Sequence, residues 1–542
     1  MSTVNPPEPS RWTRVLRAPT LDPDTIHRRR WWTLAFLNLS LFAIIMDNTI
    51  LNVALPTLAR DLHATGSDLQ WIVDSYVLVF AGLLLSAGAL GDRFGRRGAL
   101  SAGLVVFAVG SMFAMSVDSA SMLIAARAVM GVGGALIMPA TLSILTNVFT
   151  DPAERAKAIA MWASVGGLAV ALGPVMGGFI LEHFSWTAVF AVNIPIAVIA
   201  LVGGRAAVPT SRDPETPPLD VPGAILSMVG LGSLVWAIIS AGEGGWTGQG
   251  PLAGFAVAAV AAVAFIMWER RTPHPMLDVT FFKNRRFTAA SLGVMLGYFA
   301  MFGSLFLMSQ LLQFVLGYSA LGAGVRLLPF ALSMAVFSTI STKLVDRFGT
   351  KLVVVAGMGI VAVGLLWAAS LGTGSSYVDY LPGMLLMGTG IALTWAPTTE
   401  AIMGSLPAAK AGVGSAVNDT VREVGGALGV AVLGSVLASQ YTGSIASTTE
   451  TLPTEAAHTA GDSLGGAVVV AQQVGGQSGI AILDAARAAY VDGFGLALTI
   501  AAAVAAAGAA VAAIWLPARA EGSQTVVEVA AAATEEPALV AV

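Results

Sequence analysis

The chain has 542 residues, of which 56% are hydrophobic and 11% charged, against about 25% charged in an ordinary soluble domain. A formal net charge of −4 offers nucleic acid no basic footprint. With no cysteine anywhere, disulfides, thiol catalysis and cysteine-bound zinc are excluded.

In chain order, apolar runs between charged or turn-rich breaks predict fourteen segments, near 32–54, 68–90, 98–117, 121–148, 157–181, 187–204, 222–240, 251–268, 288–310, 320–341, 352–371, 379–403, 412–437 and 491–515. Each is close to the roughly 20 residues that span a bilayer core. Hydrocarbon cannot satisfy backbone polar groups, so such runs fold as helices. The first lacks a small-residue cleavage site after its basic lead, which predicts a retained helix and not a signal peptide. Residues 438–490, rich in Ala, Gly, Ser, Thr and Val, are expected to form a long outer loop. The acidic, aromatic-free stretch 520–542 is expected to be a disordered tail.

Charge placement supports the count. With a cytoplasmic N-terminus, 23 of the 28 Lys and Arg fall in inner segments, Arg60 and Arg487 fall outside, and Arg127, Arg326 and Arg422 lie inside predicted helices. An early error of one helix would reverse that bias, so the positive-inside rule favours an even number of spans. Both termini are then cytoplasmic, and the expected location is a plasma membrane.

An internal repeat sets the architecture. Asp92-Arg93-Phe94-Gly95 follows the second segment and Asp346-Arg347-Phe348-Gly349 the tenth, an offset of 254. Pro152-Ala153-Glu154-Arg155-Ala156 and Pro407-Ala408-Ala409-Lys410-Ala411 are offset by 255. Two six-helix halves with an inserted pair follow: a basic tail over 1–31, a first bundle over 32–204, the inserted helices and flanking loops over 205–287, and a second bundle over 288–519. Halves of this kind rock about a substrate site between them.

Acids inside the segments carry the chemistry, since a charge at the bilayer centre costs about 2.5–3.5 kcal/mol on the mildest scale. Asp47 lies in the first segment, Asp74 in the second and Arg127 in the fourth. At about 1.5 Å per residue they sit roughly 9–12 Å below the outer ends, at matching depths. An ion-paired cluster is feasible where the helices are adjacent, with Asp47 or Asp74 as the proton carrier; the plain alternative is that Arg127 permanently neutralises one Asp, which still leaves the other carboxylate to carry a proton. Asp419 and Glu423, four apart in the thirteenth segment, share a helix face; an Arg422–Asp419 intrahelical pair is the plain structural alternative. Met46, Tyr76, Trp162, Phe299, Phe302 and Trp395 are candidate linings for a greasy pocket with cation–π capacity.

Gly88-Ala89-Leu90-Gly91-Asp92-Arg93-Phe94-Gly95-Arg96-Arg97 resembles the signature of the major facilitator superfamily, G-x-L-x-D-R-x-G-R-R/K. Gly88, Asp92, Arg93, Gly95 and Arg96, with Asp346 and Arg347 in the repeat, are the implied conformational gate. Gly88 is expected to allow close helix approach, and Asp92 to pair with a helix N-terminus or an Arg. Gly173-Pro174-Val175-Met176-Gly177-Gly178 resembles the antiporter motif of the same superfamily, with Ala169 where a further glycine is often found. The runs around Asp47, Asp74, Gly134–Pro139, Leu181–Trp186 and Pro275–Val279 look like the fourteen-helix drug/proton antiporters, especially the quaternary-ammonium and dye efflux pumps. That resemblance implies that Asp47 and Asp74 match family acids, and that Asp419 and Glu423 serve cation recognition and proton coupling. It departs where Leu327-Leu328-Pro329 is followed by no acid and where Asn418 replaces one, which puts divalent-cation handling in doubt.

No Gly-Lys dipeptide and no H-E-x-x-H occurs, so a Walker A loop and that zinc site are excluded from this chain. No cofactor or metal is expected, and no enzymatic role, because the five His are isolated and no nucleophile–base set is visible. The expectation is an all-α integral membrane transporter, functional as a monomer, that exchanges protons for small lipophilic cations. Export of a self-made antibiotic, lipid or metabolite on the same fold, or a non-transporting membrane sensor, are the alternatives.

Overall fold

The computed structural model describes residues 23–211, 220–405, 411–450 and 452–518. Most of the basic tail over 1–31, the whole of the 520–542 tail and most of the Pro407–Ala411 repeat copy lie outside the described residues. Among the described residues every regular element is helical. The first bundle holds α1 Pro23–Asp61, α2 Gly66–Phe94, α3 Arg96–Met115, α4 Ala120–Val148, α5 Pro152–His183 and α6 Asn193–Ala207. The inserted pair is α7 Val221–Gly244 and α8 Gln249–Glu269. The second bundle follows as α9 Arg285–Gln310, α10 Ala320–Phe348, α11 Thr350–Ala369, α12 Tyr377–Met403 and α13 Ala411–Thr449, then α14 Thr454–Asp462, α15 Leu464–Val474 and α16 Gly476–Trp515.

Local chemistry fixes the helix starts. Thr65 and Asp68 form a reciprocal capping box on α2, and Ser376 and Asp379 form one on α12. Asp151 caps α5 just before Pro152, and Ser119, Asn284 and Ser319 cap α4, α9 and α10. Such oxygens satisfy the orphan donors of a first turn. The repeated turns match in three dimensions. Gly95 and Gly349 both have positive φ, +113° and +83°. Each donates its N–H four residues back, to Gly91 O at 2.9 Å and Val345 O at 2.8 Å. Arg93 lies over Phe94 and Arg347 over Phe348, at 5.6 and 5.3 Å from the ring centres.

Thirteen described helices are long and apolar enough to cross a membrane. The remaining predicted span is present as α12, whose Thr, Gly and Pro residues lower its hydropathy. The expectation of an outer loop over 438–490 is corrected. α13 runs on to Thr449, α14 and α15 fold back, and α16 begins at Gly476. Small residues weakened the apolar pattern there without weakening helix formation, since Ala is the best helix former. Tertiary contacts hold the segment: Tyr441 Oη donates to Ala460 O at 2.9 Å, and Leu464, Ala467 and Val470 are buried.

The described hydrogen bonds between the bundles lie at one end. Gln313 Nε2 donates to Val53 O at 2.9 Å, Leu321 N to Glu182 Oε1 at 3.3 Å, and Ser435 Oγ to Gln70 Oε1 at 3.4 Å. The two D-R-F-G turns lie at the other end. α7 packs against both α2 and α13, with Gly82 under Met228 and Gly242 under Ser435. The base of the inserted pair is tied by two buried acids. Asp220 accepts from Gly223 N at 2.9 Å and Trp268 Nε1 at 2.7 Å, and Glu269 accepts from Leu277 N at 3.1 Å.

Candidate functional site

In the first bundle five helices converge on one ion pair. Arg127 on α4 donates through Nη1 to Asp47 Oδ2 on α1, and neither side chain is exposed at all. Arg127 Nε donates to Ile72 O at 3.1 Å, and its guanidinium lies 4.3 Å from the Tyr76 ring centre on α2. Asn193 Nδ2 on α6 holds the other Asp47 oxygen at 2.7 Å and reaches Ser111 Oγ on α3 at 3.3 Å. Asp47 is therefore braced from both sides, as the plain reading of Arg127 anticipates for one of the two aspartates.

Asp74 differs. It is fully buried, and neither carboxylate oxygen has a hydrogen-bond partner among the described residues. Its helix face is set by Gln70, one turn earlier, which meets Gly434 and Ser435 of α13. Residues four apart share a face, so Asp74 lies on the seam between the bundles.

The second bundle repeats this division in another form. Arg422 Nη1 donates to Asp419 Oδ1 at 3.2 Å, one turn earlier on the same helix, and both side chains are 15% exposed. Arg422 Nη2 donates to Thr399 Oγ1 of α12 at 3.1 Å. Its guanidinium lies 4.7 Å from the Trp395 ring and 5.6 Å from the Tyr298 ring. The intrahelical pair anticipated as the structural alternative is thus present. Glu423 carries no hydrogen bond or ion pair among the described residues, and it lies about three turns before Gly434, on the face of α13 that meets Gln70. Eleven residues separate Glu423 from Gly434 on α13, and four separate Asp74 from Gln70 on α2. At about 1.5 Å per residue, the two unpaired acids lie about 10 Å apart along the seam.

The Gly-Pro helix forms the closed end of that seam. A Cβ on Gly173 would lie 1.9 Å from Thr49 Oγ1 of α1. One on Gly177 would lie 3.0 Å from the Ile50 side chain, and one on Gly178 2.4 Å from Leu321 Cα of α10. Across the contact, a Cβ on Gly324 would lie 2.1 Å from Pro174 O. The motif therefore lets α5 touch both its own bundle and the opposite one at backbone distance.

Known proteins agree with this architecture. The profile of the Major Facilitator Superfamily matches residues 37–430. The chain belongs to that superfamily. It is 39% identical over 483 residues to a protein named multidrug efflux pump LfrA, from Mycolicibacterium smegmatis, covering 89% of this chain and 95% of the relative. It is 34% identical to the methyl viologen resistance protein SmvA of Salmonella typhimurium, over 87% of this chain and 95% of the relative. A bacterial homologue of the lysosomal transporter Spinster, solved in an inward-facing and unoccupied conformation, aligns with a TM-score of 0.62 at 17% identity, covering 89% of this chain and 97% of that one. The likeness to Spinster speaks for the fold alone. As a member of the Major Facilitator Superfamily, the chain is a multi-pass membrane transporter.

Other residues flagged in the sequence fall unevenly on this superfamily fold. The Asp92 side chain lies outside the described ones. Asp346 and Arg347 are exposed, and Asp346 makes no ion pair among the described residues. Arg96 N donates to Ser211 O at 2.9 Å, which ties the first gate turn to the chain after α6. The close approach expected at Gly88 is corrected: a Cβ there would meet Pro139 at 3.6 Å, an ordinary contact. The tight α2–α4 contact uses Gly131 instead, where a Cβ would lie 2.6 Å from Tyr76 O. Met46 is fully buried in the core. Trp162 Nε1 donates to Thr141 Oγ1 at 3.3 Å, inside the first bundle. Phe299 is buried and Phe302 partly so, both packed against α13 glycines. Sequence reasoning missed Asn193, Tyr298 and Thr399. Asn193 alone carried a signal, as a lone amide in the apolar run Ala191–Ile196.

Proposed function

We propose that this chain is a proton-coupled antiporter that exports lipophilic organic cations by alternating access. The observation that carries the reading is the division of the four intramembrane acids. Asp47 and Asp419 are neutralised by arginines, while Asp74 and Glu423 stand unpaired on the seam between the bundles. Those two can take or release a proton without breaking an ion pair, and intramembrane acids of this kind serve as proton carriers. The names of LfrA and SmvA support drug export, and methyl viologen is itself an organic dication. A proton entering from outside neutralises Glu423 or Asp74, weakens the hold on a cation, and releases it outward. Loss of that proton to the cytoplasm restores the site.

One charge moving inward through about 150 mV supplies roughly 3.5 kcal/mol, which the outward passage of one univalent cation cancels, so each proton carried beyond the cation's own charge adds about 300-fold accumulation at about 1.4 kcal/mol per decade. The concentration of basic residues in alternate loops supports cytoplasmic termini in a plasma membrane. The bundles meet at the end away from the D-R-F-G turns, which supports a resting form open to the cytoplasm. A single chain holds every group that the cycle uses, which supports a functional monomer.

The test is ethidium transport in everted vesicles, with and without an uncoupler, for the parent and for Asp74→Asn and Glu423→Gln at matched expression. Loss of uncoupler-sensitive transport in both variants is expected. Transport unchanged in both removes the mechanism.

A further inference from the structure

Arg422 is held by more than its carboxylate. Three helices build a box around it: Tyr298 from α9, Trp395 and Thr399 from α12, and Asp419 from its own helix. The two rings meet edge-to-face, with centroids 5.4 Å apart, and the guanidinium faces both. The nearest guanidinium-to-oxygen hydrogen bonds are ordinary, 3.1 Å to Thr399 and 3.2 Å to Asp419, and Nε is buried with no acceptor. Two electron-rich faces, one carboxylate and one hydroxyl oxygen form a receptor for a flat or quaternary organic cation, because ring quadrupoles attract such ions most when desolvated. Here the protein fills that receptor with its own side chain.

We propose that Arg422 is a tethered stand-in for the transported cation. This rests on the export reading above and names how its cargo is recognised. In the substrate-free carrier the guanidinium occupies the Trp395–Tyr298–Asp419 box. An aromatic or quaternary cation displaces it, and after release Arg422 returns. One positive charge therefore sits beside Asp419 throughout the cycle, and the empty carrier reorients without a bare carboxylate in the box. The flexible Arg stem and the 15% exposure of both partners permit the exchange. The exchange also limits affinity, because every cation must compete with a ligand that never leaves.

The test is ethidium binding to the purified full chain, read by dye fluorescence, with the parent, Arg422→Gln, Arg422→Lys and Trp395→Leu. Arg422→Gln removes the competitor and is expected to tighten binding roughly tenfold, the scale of one desolvated cation–π contact. In transport it lowers both KM and kcat, because release slows. Arg422→Lys stacks less well and is expected to tighten binding by a smaller factor. Trp395→Leu weakens binding about tenfold, from loss of the ring face. If Arg422→Gln does not fold, Arg422→Lys decides. Unchanged or weaker binding in the folded arginine variants overturns the stand-in role. No saturable ethidium binding to the parent overturns the export reading itself.

Discussion

Each bundle contains an arginine that neutralises one acid and faces an aromatic ring, and the two arrangements differ in helix sharing, burial and further partners. In the first, Arg127 and Asp47 come from separate helices, are fully buried and are held further by Ile72, Tyr76 and Asn193. In the second, Arg422 and Asp419 share a helix, are partly exposed and are held mainly by ring faces and Thr399. An interhelical pair sealed from water cannot exchange partners without parting helices. An intrahelical pair beside the seam can. The same side-chain types thus make a brace in one bundle and an exchangeable contact in the other.

That comparison breaks first on stability. Asp47→Asn or Arg127→Gln leaves one buried charge without its partner, which costs about 3–5 kcal/mol. A large fall in the melting temperature of detergent-purified protein is expected, with the double variant partly recovering. Asp419→Asn removes a pair worth about 0.5 kcal/mol at its helical spacing, so little change in melting is expected while ethidium binding weakens. Equal destabilisation by Asp47→Asn and Asp419→Asn removes the distinction between brace and exchangeable contact.

The two ends of the seam allow a similar contrast. A methyl on Gly178 meets the Leu321 backbone at 2.4 Å, while one on Gly88 meets a single carbon at 3.6 Å. Gly178→Ala is expected to part α5 from α10, and overpacking of this kind costs about 1–3 kcal/mol. Increased labelling of a cysteine placed at Leu321 checks it. Gly88→Ala is expected to change neither labelling nor transport measurably. Asn193→Ala removes one hydrogen bond to Asp47 and costs about 1.5–3 kcal/mol, as bonds to charged groups do. Melting lowered by less than in Asp47→Asn is the expected result.

Much of this is legible in the amino-acid sequence alone. Long apolar runs can fold only as helices in hydrocarbon, so α1 to α13 were readable in order, and the D-R-F-G repeat exposed the two bundles. Intramembrane acids are rare enough that Asp47, Asp74, Asp419 and Glu423 stood out by type alone. Which of them are paired was not readable. Arg127 could serve either Asp47 or Asp74 by depth, and the choice was made by Asn193, 146 residues from Asp47 in sequence. The small-residue stretch 438–490 hid its helices because Ala and Gly pack through backbone proximity, which leaves no apolar period. Gly88 misled for the opposite reason: a glycine in a motif permits close approach without requiring it.

The account stands on proton exchange at the unpaired acids, and proton release on cargo binding tests it most directly. Purified protein in weakly buffered detergent, with a pH-indicator dye, is titrated with a non-ionisable quaternary cation, tetraphenylphosphonium. The account predicts that protons leave the parent as the cation binds, and that the release is lost in the Asp74→Asn, Glu423→Gln double variant. Release of the same size from that folded double variant would contradict it.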